Sequence, residues 1–511
     1  MIARGCAASL MSVAALLAQD RPQRIADIAG MRDIDARAPV VIGVHAPAAL
    51  FSAVRGEVAS LLVEAAKERV ARADDESRDE LGFRLTDPKE WQTVGVDPAG
   101  DVAVSLCDPG GFLGLPRETV LLFDLLDRER FARWLTARVV EKSGQPHEPR
   151  HHHAPDYDVL ESIAWASFGK RCLLLMRNFE EEEEISARMG FHADGMAGVE
   201  SIGARDAFRL VRAELRGVPS AGFYVRPAEW RNADHQETPR KAEDFETMVA
   251  LDADGLTVAM RVPPEAATAL AEPTDVDLRP IVESFPAPHL VCALRADDPV
   301  AAASALFDWN DVRSGLGVLG KALPAPGELR GACGLSWLTP SASGAPFEFA
   351  IGLVARDDAA AATLFGRMCN ALGALAAEDA DEAHRVRRRS DVPEGSEARS
   401  VLAEDTLVTV GRRGERVFIG TATGPILAAL RGDKLHDSAL SFDACAESVL
   451  DLAPILRLVP RGRLVEGALP GTLHLRGRID RGHALLDLRR EGEGRKVSVL
   501  AEAIALGLAF E

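Results

Sequence analysis

The chain has 511 residues, 47% of them hydrophobic and 27% charged, a globular composition that excludes a mainly disordered polypeptide. Its length is several times that of a typical domain, so more than one core is expected. Acidic residues outnumber basic ones 78 to 59, for a net charge of −19, and a chain this acidic repels nucleic-acid backbones.

Residues 1–20 have the layout of a secretory signal. Arg4 is followed by an uncharged run from Ala7 to Ala18 and then by Gln19-Asp20-Arg21, with the apolar part too short to span a membrane. The alternative is a frayed N-terminal helix of a cytosolic protein. No later segment reaches the length of a membrane span; the stretch Val497 to Phe510 contains Glu502 and is too short. The seven cysteines are scattered singly, without a CxxC pair or zinc spacing. Most lie in apolar patterns, where a buried free thiol is expected.

Along the chain, the order of elements repeats. Val40 to Val44 is a β-branched run followed by Pro47 and an amphipathic stretch with Leu50, Phe51 and Val54. Leu290 to Leu294, followed by Pro299 and a stretch through Leu306, is its counterpart. Short strands at Ala103–Leu106 and Gly334–Leu338 come next. A second strand–helix unit follows in each half. Val120–Phe123 leads to Asp127 and a helix with Phe131, Trp134, Leu135 and Val139 on one face; Phe349–Val354 leads to Asp357 and a helix carrying Leu364, Phe365, Met368 and Leu372. The spacing is helical, and the aspartate ahead of each run caps free backbone N–H groups. Hairpins around Gly169-Lys170 and Arg413-Gly414 follow, each with a short helix behind it, and hairpins at Asp252–Gly255 and Asp480–Gly482 close the two halves.

This order predicts an α+β protein of two tandem, weakly similar modules. Each is a mostly antiparallel sheet with helices packed on one face, in split β-α-β order with extra hairpins. The expected division is a signal segment at 1–20, a first module at 21–262, a linker at 263–288 and a second module at 289–511. Ser143–Asp156, Arg231–Asp244 and Glu378–Ser400 also read as linkers, from their proline, charge and small polar residues.

Four phrases carry a family resemblance: Leu81-Gly82-Phe83 leading to Thr93–Pro98, the unit from Val120 to Asp127, Phe168-Gly169-Lys170, and Asp206–Arg209 running into Gly222–Val225. Together they resemble a family of exported bacterial proteins catalogued only as a domain of unknown function, over about Val40 to Leu488. The second half departs from it, with a poor match to the helix at Phe208–Leu215. The family has no agreed activity, so the resemblance implies an envelope location and no site residues.

Candidate chemistry is sparse. His147, His151, His152 and His153 are the one group with metal-ligand chemistry, although adjacent histidines in a Pro-rich stretch read first as a solvated linker. Glu180–Glu184 reads as the solvated first turn of a helix rather than a calcium site. Gly315–Lys321 matches a GxGxxG string but lacks the strand and helix that a dinucleotide site needs. Arg385, Arg387, Arg388 and Arg389 follow an acidic stretch and read as a charge-balanced loop. No residue is singled out as catalytic and no cofactor is called for. The sequence is read as a non-catalytic binding or structural protein of the envelope, periplasmic or otherwise exported, with a cytoplasmic location as the alternative. Its partner would be a protein or a small molecule, not nucleic acid. The competing reading is a hydrolase or metal-dependent enzyme with a site between the modules.

Overall fold

The computed structural model describes residues 28–451 and 472–491, except 33, 35–37, 62–71, 73–74, 108–117, 154–155, 178–184, 186, 191, 193–200, 227–245, 253–254, 271–274, 287–288, 307–312, 315–319, 339–347, 379–385, 404–405, 422 and 443. The N-terminal export layout, the linker at Arg231–Asp244, the run Glu180–Glu184, most of the glycine string and the stretch from Val497 lie outside the described residues. The chain divides into two compact units. One comprises Met1–Arg261, Ile455–Pro470 and Glu493–Glu511; the other comprises Val262–Pro454 and Gly471–Gly492.

The first unit begins with β1 (Val40–His45), α1 (Pro47–Leu61), α2 (Pro88–Thr93), β2 (Asp101–Cys107), β3 (Glu118–Asp124) and α3 (Arg128–Ser143). Four strands follow: β4 (Arg150–His153), β5 (Asp156–Leu160), β6 (Ile163–Phe168) and β7 (Arg171–Arg177). It closes with α4 (Asp206–Glu214), β8 (Ala221–Val225), β9 (Thr247–Leu251) and β10 (Gly255–Arg261). Every pairing is antiparallel, and the spatial order is β4-β5-β6-β7-β3-β2-β1-β8-β9-β10.

The second unit runs α5 (Pro264–Leu270), α6 (Arg279–Val282), β11 (Leu290–Leu294), α7 (Pro299–Leu306), β12 (Leu329–Leu338), β13 (Glu348–Ala355) and α8 (Asp358–Glu378). Then come β14 (Arg387–Arg388), β15 (Ser396–Ala403), β16 (Thr406–Arg413), β17 (Arg416–Gly420), α9 (Thr423–Arg431), β18 (Ala446–Asp451), β19 (Thr472–Asp480) and β20 (His483–Glu491). Its order is β14-β15-β16-β17-β13-β12-β11-β18-β19-β20, again all antiparallel. The two orders are the same, strand for strand. Register agrees as well: Ser105 lies opposite Val41 and Val120, and Ser336 lies opposite Val291 and Ala350.

The long helices α3 and α8 start alike. Asp127 accepts from Arg130 N at 2.9 Å and Asp357 accepts from Ala360 N at 2.7 Å, satisfying first-turn donors that have no partner in the helix. Aligned on these caps, Phe131, Leu135 and Val139 correspond to Ala361, Phe365 and Cys369, and all six are buried. They pack one face of each sheet, against Val102, Phe123 and Leu174 in the first unit and Leu353, Val401 and Val417 in the second. The other face receives short segments. Met31 lies against Gly43 and Ile281 against Gly352, where a Cβ would clash.

Order is duplicated more faithfully than position. The helix α9 follows β17 as α4 follows β7, which supplies the second-half counterpart that the sequence matches poorly. It covers β16 and β17, whereas α4 covers β9 and β10. Several stretches read as linkers carry structure. Ser143–Asp156 contains β4, Glu378–Ser400 contains β14 and the start of β15, and the expected linker 263–288 contains α5 and α6. Short polar edge strands lack apolar alternation, so composition shows them as loops.

Candidate functional site

The helix-covered face of the first unit holds an apolar cavity of about 170 Å³ that is partly open to solvent. Its floor is the sheet. Val102 sits opposite Phe123 and Leu121 opposite Leu174, so side chains from three adjacent strands converge on one side. Its roof is α3, which contributes Phe131, Trp134, Leu135 and Val139. The end wall comes from Phe83, Leu85 and Trp91, with the indole N–H of Trp91 donating to Leu85 O at 3.0 Å. That bond satisfies the one polar atom of a buried ring.

The aromatic rings meet edge-on. Ring centroids are 5.2 Å apart for Phe83–Trp91 and for Phe123–Phe131, and 5.8 Å apart for Phe83–Trp134. The start of α3 is held by the turn at Gly95 (φ 84°), whose carbonyl accepts from Leu126 N and Asp127 N; a Cβ at Gly95 would stand 2.5 Å from Asp127 O. Only glycine combines that close approach with the left-handed backbone.

Among the described residues, the ionisable ones in the cavity wall are Glu80 and Arg138. Glu80 is the exposed member of the wall, so the cavity meets solvent beside the helical residues 75–81. Both charges are engaged. Glu80 lies 3.5 Å from Lys142 Nζ, and the Arg138 guanidinium donates to Asp79 O, Glu80 O and Glu141. The Arg138 contacts supply donors to carbonyls at the end of a helical turn.

A second cluster in the same unit is polar. His45 Nδ1 is 2.6 Å from Asp101 Oδ1, Arg171 Nε is 3.9 Å from Asp124 Oδ1, and Arg171 Nη2 donates to Gly30 O at 3.0 Å. Burial, with the nearby charges of Asp101 and Asp97, raises the Asp124 pKa against the opposing pull of Arg171. Among the described residues no hydroxyl or thiol is hydrogen-bonded to His45. The corresponding residues of the second unit, by strand register, are Arg295, Ala332, Val354 and Arg416. This cluster therefore belongs to one copy.

The histidines that the sequence singles out do not converge. Strand β4 sends adjacent side chains to opposite sides. His151 Nδ1 lies 2.9 Å from Asp158 Oδ1, while the His152 ring stacks on Tyr157 at 4.6 Å. His153 packs its ring against His151, and His147 faces Glu161. Among the described residues there is no group of three or more His, Cys, Asp or Glu placed to hold a metal ion. The histidine strand and the arginine pair Arg387–Arg388 occupy the same place in the two copies, since β4 and β14 are the outermost strands of their orders, while Arg385 lies outside the described residues. A charged strand at a sheet edge disfavours pairing with another chain.

One buried ionic group had no sequence signal. Glu118 opens β3 with its side chain wholly buried; His192 Nε2 is 2.8 Å from Oε1, and Arg188 Nε donates to Oε2 at 2.7 Å. Burial alone would raise its pKa, but the hydrogen bonds from His192 and Arg188 outweigh it and hold the carboxyl at about 2. Glu348, at the same register position of the second unit, is also buried. Cys172, Cys292, Cys369 and Cys445 are free thiols.

Among the described residues, no helix is long and apolar enough to cross a membrane. No protein-family model matches the chain, and no curated protein matches it. Among solved structures, crystal form I of TP0453 is similar to it at 9% identity, over 47% of this chain and 80% of that one, with a TM-score of 0.22. A likeness that slight carries no argument about either fold or function.

Proposed function

We propose that this is a non-catalytic binding protein whose first unit takes an apolar ligand between its sheet and α3. The observation that carries the reading is the wall of the cavity: aromatic and aliphatic surface, with its two ionisable residues already bonded at the rim. Removing a ligand's apolar surface from water supplies affinity there, at about 25 cal/mol per Å². A proton-transfer or nucleophilic step would need a titratable group directed into the site. The export layout of residues 1–20 and the resemblance to an exported family favour an envelope location for this activity.

The test is calorimetric titration of the full chain with a panel of alkanes, aromatics and fatty acids, beside Leu135→Phe/Val139→Leu, which fills the cavity. Phe is the residue that the second unit carries at the position of Leu135. Saturable binding of at least one class, weakened in the filled variant, is expected. Wild-type protein with no heat for any of them would refute the reading.

A further inference from the structure

The size and lining of the cavity narrow the ligand class, given the binding reading above. A dry apolar cavity of about 150 Å³ accommodates a benzene ring, and this one measures about 170 Å³. Scaled from the six carbons of benzene, a sixteen-carbon acyl chain would need more than twice that space.

The walls also favour a ring. Phe83, Trp91, Phe123, Phe131 and Trp134 line the space, and their mutual contacts are edge-on or tilted. A planar ring entering among them finds ring faces and edges at the offsets that aromatic pairs prefer. At the mouth, an anionic head group would have to displace Glu141 or the carbonyls of Asp79 and Glu80 from Arg138, and a cationic one would have to displace Lys142 from Glu80. Neither exchange gains a charge contact that the protein lacks.

We infer that the ligand is a compact, uncharged aromatic molecule of about six to eight non-hydrogen atoms, seated between Phe123 and α3. The rings that α3 contributes to the wall are not repeated at the same positions of α8. Aligned on the helix caps, Phe131 and Trp134 are replaced by Ala361 and Leu364, while Leu135 becomes Phe365.

Toluene, indole, decanoate and palmitate are the probes. Each is titrated into the full chain with heat and tryptophan emission as readouts, since Trp91 and Trp134 form part of the wall. Toluene is expected to bind with one-to-one stoichiometry, and at least about tenfold more weakly to Leu135→Phe/Val139→Leu. Phe131→Leu, which enlarges the cavity, is expected to shift preference toward indole. Binding of decanoate or palmitate without toluene would overturn the size and charge inference while leaving the binding reading intact. Equal toluene binding by the filled variant, or an unchanged preference in Phe131→Leu, would place the ligand elsewhere and also overturn it. If no probe binds, both the inference and the reading it rests on fall.

Discussion

Glu118→Gln is the substitution whose energetic consequence the structure defines best. Glutamine keeps the volume and one acceptor but removes the charge that Arg188 and His192 contact. In an unfolded chain the carboxyl titrates at its ordinary value of 4.5, and in the fold it is held at about 2. Its folded pKa is thus depressed, so the stabilisation is fully present above 4.5 and is lost as pH falls through about 2. At about 1.4 kcal/mol per pKa unit, the ionised group contributes about 3 kcal/mol at neutral pH. Wild type should therefore exceed the Gln variant by about 3 kcal/mol at pH 7, with the gap closing between pH 4.5 and 2. Hydrogen exchange of the amides of residues 118–124 and 187–190 reads this opening locally, without requiring the two units to unfold together. A gap that stays constant from pH 7 to 2, or that is already below about 1 kcal/mol at pH 7, would refute the ionic account of this site.

Three further outcomes are expected. Gly43→Val should lower the thermal midpoint, at a cost of about 1–3 kcal/mol for overpacking, because its Cβ would stand 2.5 Å from Met31 Cγ and 2.6 Å from Ala29 O; Gly56→Ala, with nothing within 4 Å in the middle of α1, is the control that should not. Burial pushes the Cys172 thiol far up, so a thiol-specific disulfide reagent should modify it only after unfolding, as peptide mapping would show. The Asp124 carboxyl should titrate above its ordinary 3.8 by NMR and move down in Asp101→Asn; because its folded pKa is raised, it takes stability away as pH rises from 3.8 through that value.

Local signals carried much of the architecture. The aspartate caps at Asp127 and Asp357, the i, i+4, i+8 apolar faces behind them and the turn glycines each depend on a few neighbouring residues, and the structure places them as those patterns require. The face of α3 that roofs the cavity was readable in this way: Phe131, Trp134, Leu135 and Val139 share it by helical periodicity. The rest of the cavity was not. Phe83 and Trp91 come from a segment some forty residues earlier, and Leu174 from one some forty residues later. Nothing in their local pattern says that they meet. Glu118 is similar, since its partners at 188 and 192 lie about seventy residues away. The histidine segment shows the converse, a conspicuous cluster in which the alternation of a strand turns His152 away from His151 and His153.

By itself, the sequence determined the class of the fold and its duplication, because capping, periodicity and turn chemistry act over a few residues and survive as patterns when the two copies diverge. Tertiary structure alone decided that the apolar face of α3 covers a cavity, by bringing Phe83, Trp91 and Leu174 against it. Packing compares the volumes of side chains that are remote along the chain, and at Leu135 and Phe365 equivalent positions on equivalent helices carry side chains of different size.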